Sequence, residues 1–213
     1  MWELYRLIRE PERWRSLDVT YEEPRVERIW TELLSRATGE PDGCRISLHC
    51  IHPTEKPFRH THKWPSAVLV CEGSYEMAVG EARGRTTPSS GKQELVGHET
   101  SCALRIASEG SAGIECRHGF DVCPKCDACT CKGPAARIHL GPGSIYEMTC
   151  EQDWHSVRPL HQKPVYSIMV SGPPYRPGVK EEGSAKNQPL SPERAEELRR
   201  WFQRWVDKQE LKT

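Results

Sequence analysis

Apolar positions along this chain change their period twice. Near the start, Leu4, Leu7 and Ile8 recur at helical spacing until Pro11 interrupts them. Pro24 suits a first helical turn, and Val26, Ile29, Trp30, Leu33 and Leu34 follow it at helical spacing, so residues 1–44 read as an N-terminal helical segment. Gly39-Glu40-Pro41-Asp42-Gly43 is a loop. From 45 to 51 the period falls to two, with Ile46, Leu48 and Cys50 on one side. An apolar run at 67–71 ends in the turn Glu72-Gly73-Ser74, after which Tyr75, Met77 and Val79 alternate. Residues 102–107, 136–140, 145–149 and 165–171 are further strand candidates. Many short strands separated by Gly and Pro turns predict a sandwich or barrel. The helical period returns at the end, where Ser191 is an N-cap, Pro192 a first helical residue, and Leu198, Trp201, Phe202 and Trp205 one apolar stripe. Such a stripe is expected to cover the outside of the barrel rather than to wait for a partner. Three stretches result: 1–44, a barrel over 45–175 with a Cys-rich insertion at 116–133, and a linker plus amphipathic helix over 176–213.

Composition narrows the function classes. A length of 213 residues fits one globular domain with additions. Thirty Lys+Arg balance thirty Asp+Glu, which argues against a nucleic-acid partner. No apolar run approaches the ~20 residues of a membrane helix, and residues 1–15 lack the apolar centre of a signal peptide. The expectation is a soluble, cytoplasmic protein without a membrane partner. The ten cysteines agree with a reducing compartment: five scatter through apolar stretches and five crowd into 116–131.

The candidate chemistry centres on Arg59-His60-Thr61-His62-Lys63-Trp64-Pro65. On a strand, His-x-His turns both rings to one face, where they can grip one metal ion. A third ligand is expected from Asp153-Trp154-His155-Ser156-Val157, downstream of Pro142-x-Ser144. Taken together, His60-x-His62 followed by Gly73, and Pro142-x-Ser144 through His155, resemble the two motifs of the cupins over about residues 45–174. The resemblance implies a mainly β, cupin-like antiparallel barrel (a jelly roll) with terminal helices, holding a metal on His60, His62 and His155. The stretch after His62, Trp64-Pro65-Ser66-Ala67, lacks the glutamate usual in the first cupin motif. The site is therefore similar to the three-histidine thiol dioxygenases, the cysteine-dioxygenase-like branch. The run from His155 and Val157 to Val165-Tyr-Ser-Ile-Met-Val-Ser-Gly-Pro173-Pro174-Tyr175 is similar to that branch as well. The Ser-x-His-x-Tyr relay of animal-type cysteine dioxygenases is not matched, since Ser167, Met169 and Ser171 stand there.

Three neutral imidazoles leave a divalent ion's charge uncompensated, which welcomes an anionic substrate group and leaves room for O2. The expectation is a non-haem Fe(II) dioxygenase acting with O2 on a small anionic or thiol-containing molecule. Imidazoles alone do not choose the metal, and an isomerase, epimerase or lyase using the ion as a Lewis acid, or a non-catalytic ligand-binding cupin, are the alternatives. Arg45, Arg105 and Arg158 are candidate clamps for a substrate carboxylate, and Tyr75 and Tyr166 candidate hydroxyls near the metal. Packing or surface roles are the competing reading for each. His49, His98 and His161 are further ligand candidates of the same kind. Cupins often dimerise, so a homodimer is compatible with the resemblance. In the cysteine window, Cys123-Pro-Lys-Cys126 has zinc-knuckle spacing, with Cys116, Cys129 and Cys131 available to complete a tetrahedral Zn site in a segment almost without apolar residues. A loop of free thiols, or cysteines that form disulfides, are the alternatives there.

Overall fold

Alternation, rather than a helical period, governs most of the chain. The computed structural model describes residues 2–20, 23–35, 37–58, 60–83, 94–96, 104–107, 119–120, 134–149, 151, 153–176 and 187–210. Helix α1 (Trp2–Leu7) and a 3-10 turn at Pro11–Arg13 lead into β1 (Arg15–Val19), β2 (Val26–Leu34), β3 (Pro41–Ile51), β4 (His60–Thr61), β5 (Ser66–Glu72) and β6 (Tyr75–Arg83). Then come β7 (Glu94–Val96), β8 (Leu104–Ala107), β9 (Gly119–Phe120), β10 (Pro134–Leu140), β11 (Ile145–Met148), β12 (Asp153–Pro159), β13 (Val165–Ser171) and α2 (Pro192–Glu210).

The strands form a large sheet in the order β1-β2-β3-β13-β5-β11-β8 and a small one in the order β4-β12-β6-β10-β9, with β7 beside β6. Every pairing is antiparallel. This is the cupin-like jelly roll expected from the motifs, built as two facing sheets rather than one closed barrel, with a helix near each end. The cysteine window 116–131 lies outside the described residues apart from Gly119 and Phe120. Among the described residues no helix is long and apolar enough to cross a membrane.

The helical expectation for residues 26–34 is corrected. They form β2, whose burial alternates through Glu27, Ile29 and Thr31 and whose register runs along β1 and β3. Val26, Ile29, Trp30 and Thr31 are β-branched or aromatic, and a neighbouring strand to pair with decides for the extended form.

Two apolar layers result. Between the sheets lie Val70, Tyr75, Met77, Leu140, Met148 and Val165, all close to fully buried. The outer face of the large sheet presents Ile29, Ile46, Leu48 and Ile168 to α1 and α2, which answer with Leu4, Leu7, Ile8, Leu198, Phe202 and Val206. The C-terminal stripe thus covers the sheet, as its period predicts. Ser191 Oγ accepts the backbone N–H of Arg194 at 3.2 Å, which caps α2. Trp201 stacks on Tyr166 with centroids 3.9 Å apart.

A polar clasp completes the docking of α2. Glu27, 4% exposed on β2, accepts both Nε (3.0 Å) and Nη2 (2.6 Å) of Arg194. His52 Nε2 at 3.0 Å and Arg25 Nη2 at 3.2 Å reach the same carboxylate. Burial pushes the Glu27 carboxyl up, but its hydrogen bonds from Arg194 and His52 prevail and hold it below the ordinary range.

The turn between β5 and β6 depends on Gly73, whose φ is +79° and whose Cβ, if present, would stand 2.8 Å from the Pro164 carbonyl oxygen. Gly73→Ala is expected to destabilise the fold by about 2 kcal/mol, through left-handed strain plus a backbone clash. Urea unfolding of the two proteins reads this directly.

Candidate metal centre

The register of one strand pair builds the site. β12 runs antiparallel to β4 and sets His155 directly opposite His60, so their side chains share a face. His62, two residues beyond His60, falls on that face as well. The three Nε2 atoms converge, with His155 Nε2 3.0 Å from His62 Nε2 and 3.1 Å from His60 Nε2. The rings of His60 and His62 are nearly parallel at 19°, and His155 stands across them at 75° and 89°.

This spacing fits a divalent ion. With metal–nitrogen bonds of about 2.1 Å, ligands at right angles sit about 3.0 Å apart and tetrahedral ones about 3.4 Å apart. The two separations from His155 match the right-angled case, and all three ligand atoms lie within 4.8 Å of one another, a set that suits an ion with further coordination positions. Proton placement agrees. His62 Nδ1 lies 2.8 Å from Ser66 Oγ, and the tautomer in which Nδ1–H donates to the serine oxygen is the one that leaves the Nε2 lone pair for an ion. Burial, then the neighbouring His60, pulls His62 down to about 3. Burial, then His62 and His60, holds His155 well below its usual value. Both are neutral near pH 7, the form a metal needs. Among the described residues, no carboxylate belongs to the group.

The histidines line one end of a cavity of about 200 Å³ between the sheets. Val68, Tyr146 and Met169 make its walls apolar, while Arg28, His49 and Ser167 add polar positions from the large sheet. An apolar cavity of about 150 Å³ accommodates benzene, so this one accepts a molecule of only slightly greater size.

Most of the other sequence candidates fall elsewhere. Tyr75 is fully buried behind the cavity, edge-on to Tyr146 at 6.5 Å. Tyr166 faces the other side of its sheet, against Trp201. Arg45 lies over the Trp30 ring at 4.7 Å, outside the cavity. Arg158 pairs with Glu76 at 2.9 Å, also outside it. Arg105 sits on β8 opposite Glu147. His49 is on the cavity wall, His161 is an exposed turn residue with φ 59°, and His98 lies outside the described residues. So do Cys116, Cys123, Cys126, Cys129 and Cys131. Arg28, Ser66 and Tyr146 escaped the sequence reading. Arg28 was hidden because β2 was expected to be helical, and Ser66 because its partner is fixed only by the fold.

A second group, Glu27, Cys50 and His52, also brings three donor types together beneath α2. Its chemistry differs. The Glu27 carboxylate is already taken by two guanidiniums, and burial pushes the Cys50 thiol up to about 11, so it stays protonated. This is the helix clasp described above.

No protein-family model matches the chain, and no curated protein matches it. Solved structures with similar chain paths include an oxalate decarboxylase from Bacillus subtilis (10% identity, TM-score 0.37, covering 72% of this chain and 27% of that one). Vicilin from Solanum lycopersicum (tomato) shares 8% identity at TM-score 0.41, covering 84% and 34%. Fe(II)-HppE with the alternative substrate (S)-1-HPP shares 10% identity at TM-score 0.41, covering 76% and 57%. The chain spans about a third or less of the first two and 57% of the third. The site is therefore read from its own residues.

Proposed function

We propose that this chain is a metal-dependent enzyme, a non-haem Fe(II) dioxygenase acting on a small anionic or thiol-containing molecule. One observation carries the reading: three imidazoles converge on the wall of a small, mostly apolar cavity, two of their spacings at the right-angle value, and among the described residues no carboxylate joins the group. Fe(II) on His60, His62 and His155 would supply binding and activation of O2 next to a coordinated substrate. The residues of the chain do the rest. Ser66 hydrogen-bonds His62 Nδ1 and orients its ring. Arg28 contributes a guanidinium to the cavity wall. Val68, Met169 and Tyr146 exclude bulk water, and the Tyr146 phenol, pushed up to about 12 by burial, keeps its proton. A structural zinc held by four ligands drawn from Cys116, Cys123, Cys126, Cys129 and Cys131 belongs to the same proposal, supported by the Cys123-Pro-Lys-Cys126 spacing.

The test is an oxygen-electrode screen of Fe(II)-loaded protein against small thiols and carboxylates. The expected result is O2 uptake that needs both iron and substrate and disappears in His60→Ala. Turnover that continues without O2 and equally well with Zn or Mn would replace this reading by Lewis-acid chemistry.

A further inference from the structure

A second row of polar residues lines the cavity. On the large sheet, β3 lies between β2 and β13, and the register sets Arg28 opposite His49 and His49 opposite Ser167. All three line the cavity, whereas His60 and His155 belong to the small sheet across from them. Two atoms of this row stand out. Among the described residues, His49 Nε2 and Ser167 Oγ are buried and have no hydrogen-bond partner. Ser167 is 0% exposed. A buried polar atom left unpaired costs stability, and its presence beside a cavity asks for a ligand group.

The chemistry of the pair limits that group. A serine hydroxyl both donates and accepts. The unpaired His49 Nε2 donates or accepts according to the tautomer of its ring. A single hydroxyl, carboxamide or carboxylate group of a ligand, placed between the two atoms, satisfies both.

We propose that His49 and Ser167 are specificity-determining residues of the cavity, reading a hydrogen-bonding polar group, such as a hydroxyl, on the part of the substrate that faces the large sheet. This rests on the three-histidine reading above. It gives the substrate two recognised groups, a metal-binding anionic or thiol head and a hydrogen-bonding tail, both within a cavity of about 200 Å³.

The test compares 3-mercapto-1-propanol with 1-propanethiol, which share a head and differ in the tail. Each is titrated into anaerobic Fe(II)-loaded protein, and occupancy is followed by the fluorescence of Trp64, a cavity residue. The alcohol is expected to bind about 10-fold tighter, the worth of one good buried hydrogen bond. Ser167→Ala and His49→Phe are each expected to erase that preference while leaving propanethiol affinity and iron content unchanged. Ser167→Ala should also keep or raise Tm, because it removes an unpaired buried hydroxyl. Equal binding of both thiols to the unmodified protein, or a preference that survives both substitutions, overturns the proposal alone. Binding of neither thiol overturns it together with the reading it rests on.

Discussion

Replacing His155 by alanine is expected to remove one equivalent of divalent metal and to lower the affinity of the site by more than about 100-fold. That bound exceeds the 10–100-fold typical of losing an outer hydrogen-bond partner, which is the effect expected for Ser66→Ala. His155 is the hinge of the group: its Nε2 is the atom within 3.0 and 3.1 Å of the other two. Without it, His60 and His62 remain as a nearly parallel pair that cannot define a facial site. Elemental analysis of protein purified without added metal, beside a His60→Ala/His155→Ala double variant, gives the count. The zinc proposed for the cysteine cluster would persist in both variants, so the histidine-site metal is read as the difference. Unchanged metal content in the double variant would remove the histidine site and leave a ligand-binding cavity.

Glu27→Ala is expected to cost about 3 kcal/mol of stability, the low end for breaking a buried pair, because Arg194 keeps partial access to water. Removal of the carboxylate leaves Arg194, His52 and Arg25 facing one another beneath α2. The sign of the pH dependence follows from the depressed carboxyl. The folded state holds Glu27 ionised more readily than the unfolded chain, whose carboxyl titrates near 4.3. The clasp therefore contributes fully above that pH and is lost as pH falls through the lower folded value. Melting curves between pH 3 and 7 should show a steeper acid loss for the unmodified protein than for Glu27→Gln. Parallel curves would mean that the clasp does not hold α2.

The sequence made some parts of this molecule readable and hid others for physical reasons. β5, β13 and α2 stand out because one period fits each of them. Val26 to Leu34 did not, because the same apolar residues satisfy spacings of both two and three to four, and only pairing with β1 and β3 decides between them. His60 and His62 were visible from their spacing and His155 from the family resemblance. Their convergence required the β4–β12 register, which no local pattern encodes. Arg28, His49 and Ser167 lie far apart in the chain and meet only across three strands. Tyr166 shows the converse: it sits on the same strand as Ser167, and the strict alternation of a strand sends the two to opposite faces.

The shortness of β4 has a consequence of its own. This edge strand is two residues long and meets β12 at two register positions, one of them the His60–His155 pair. An ion held by His60, His62 and His155 would rivet that edge to the small sheet, so loading and local unfolding become linked equilibria. At free metal 100 times the dissociation constant, such linkage adds about 2.7 kcal/mol against any opening that breaks the site. The thermal midpoint would then climb with the logarithm of metal concentration. A cell short of the ion would lose the integrity of the cavity rim along with its chemistry.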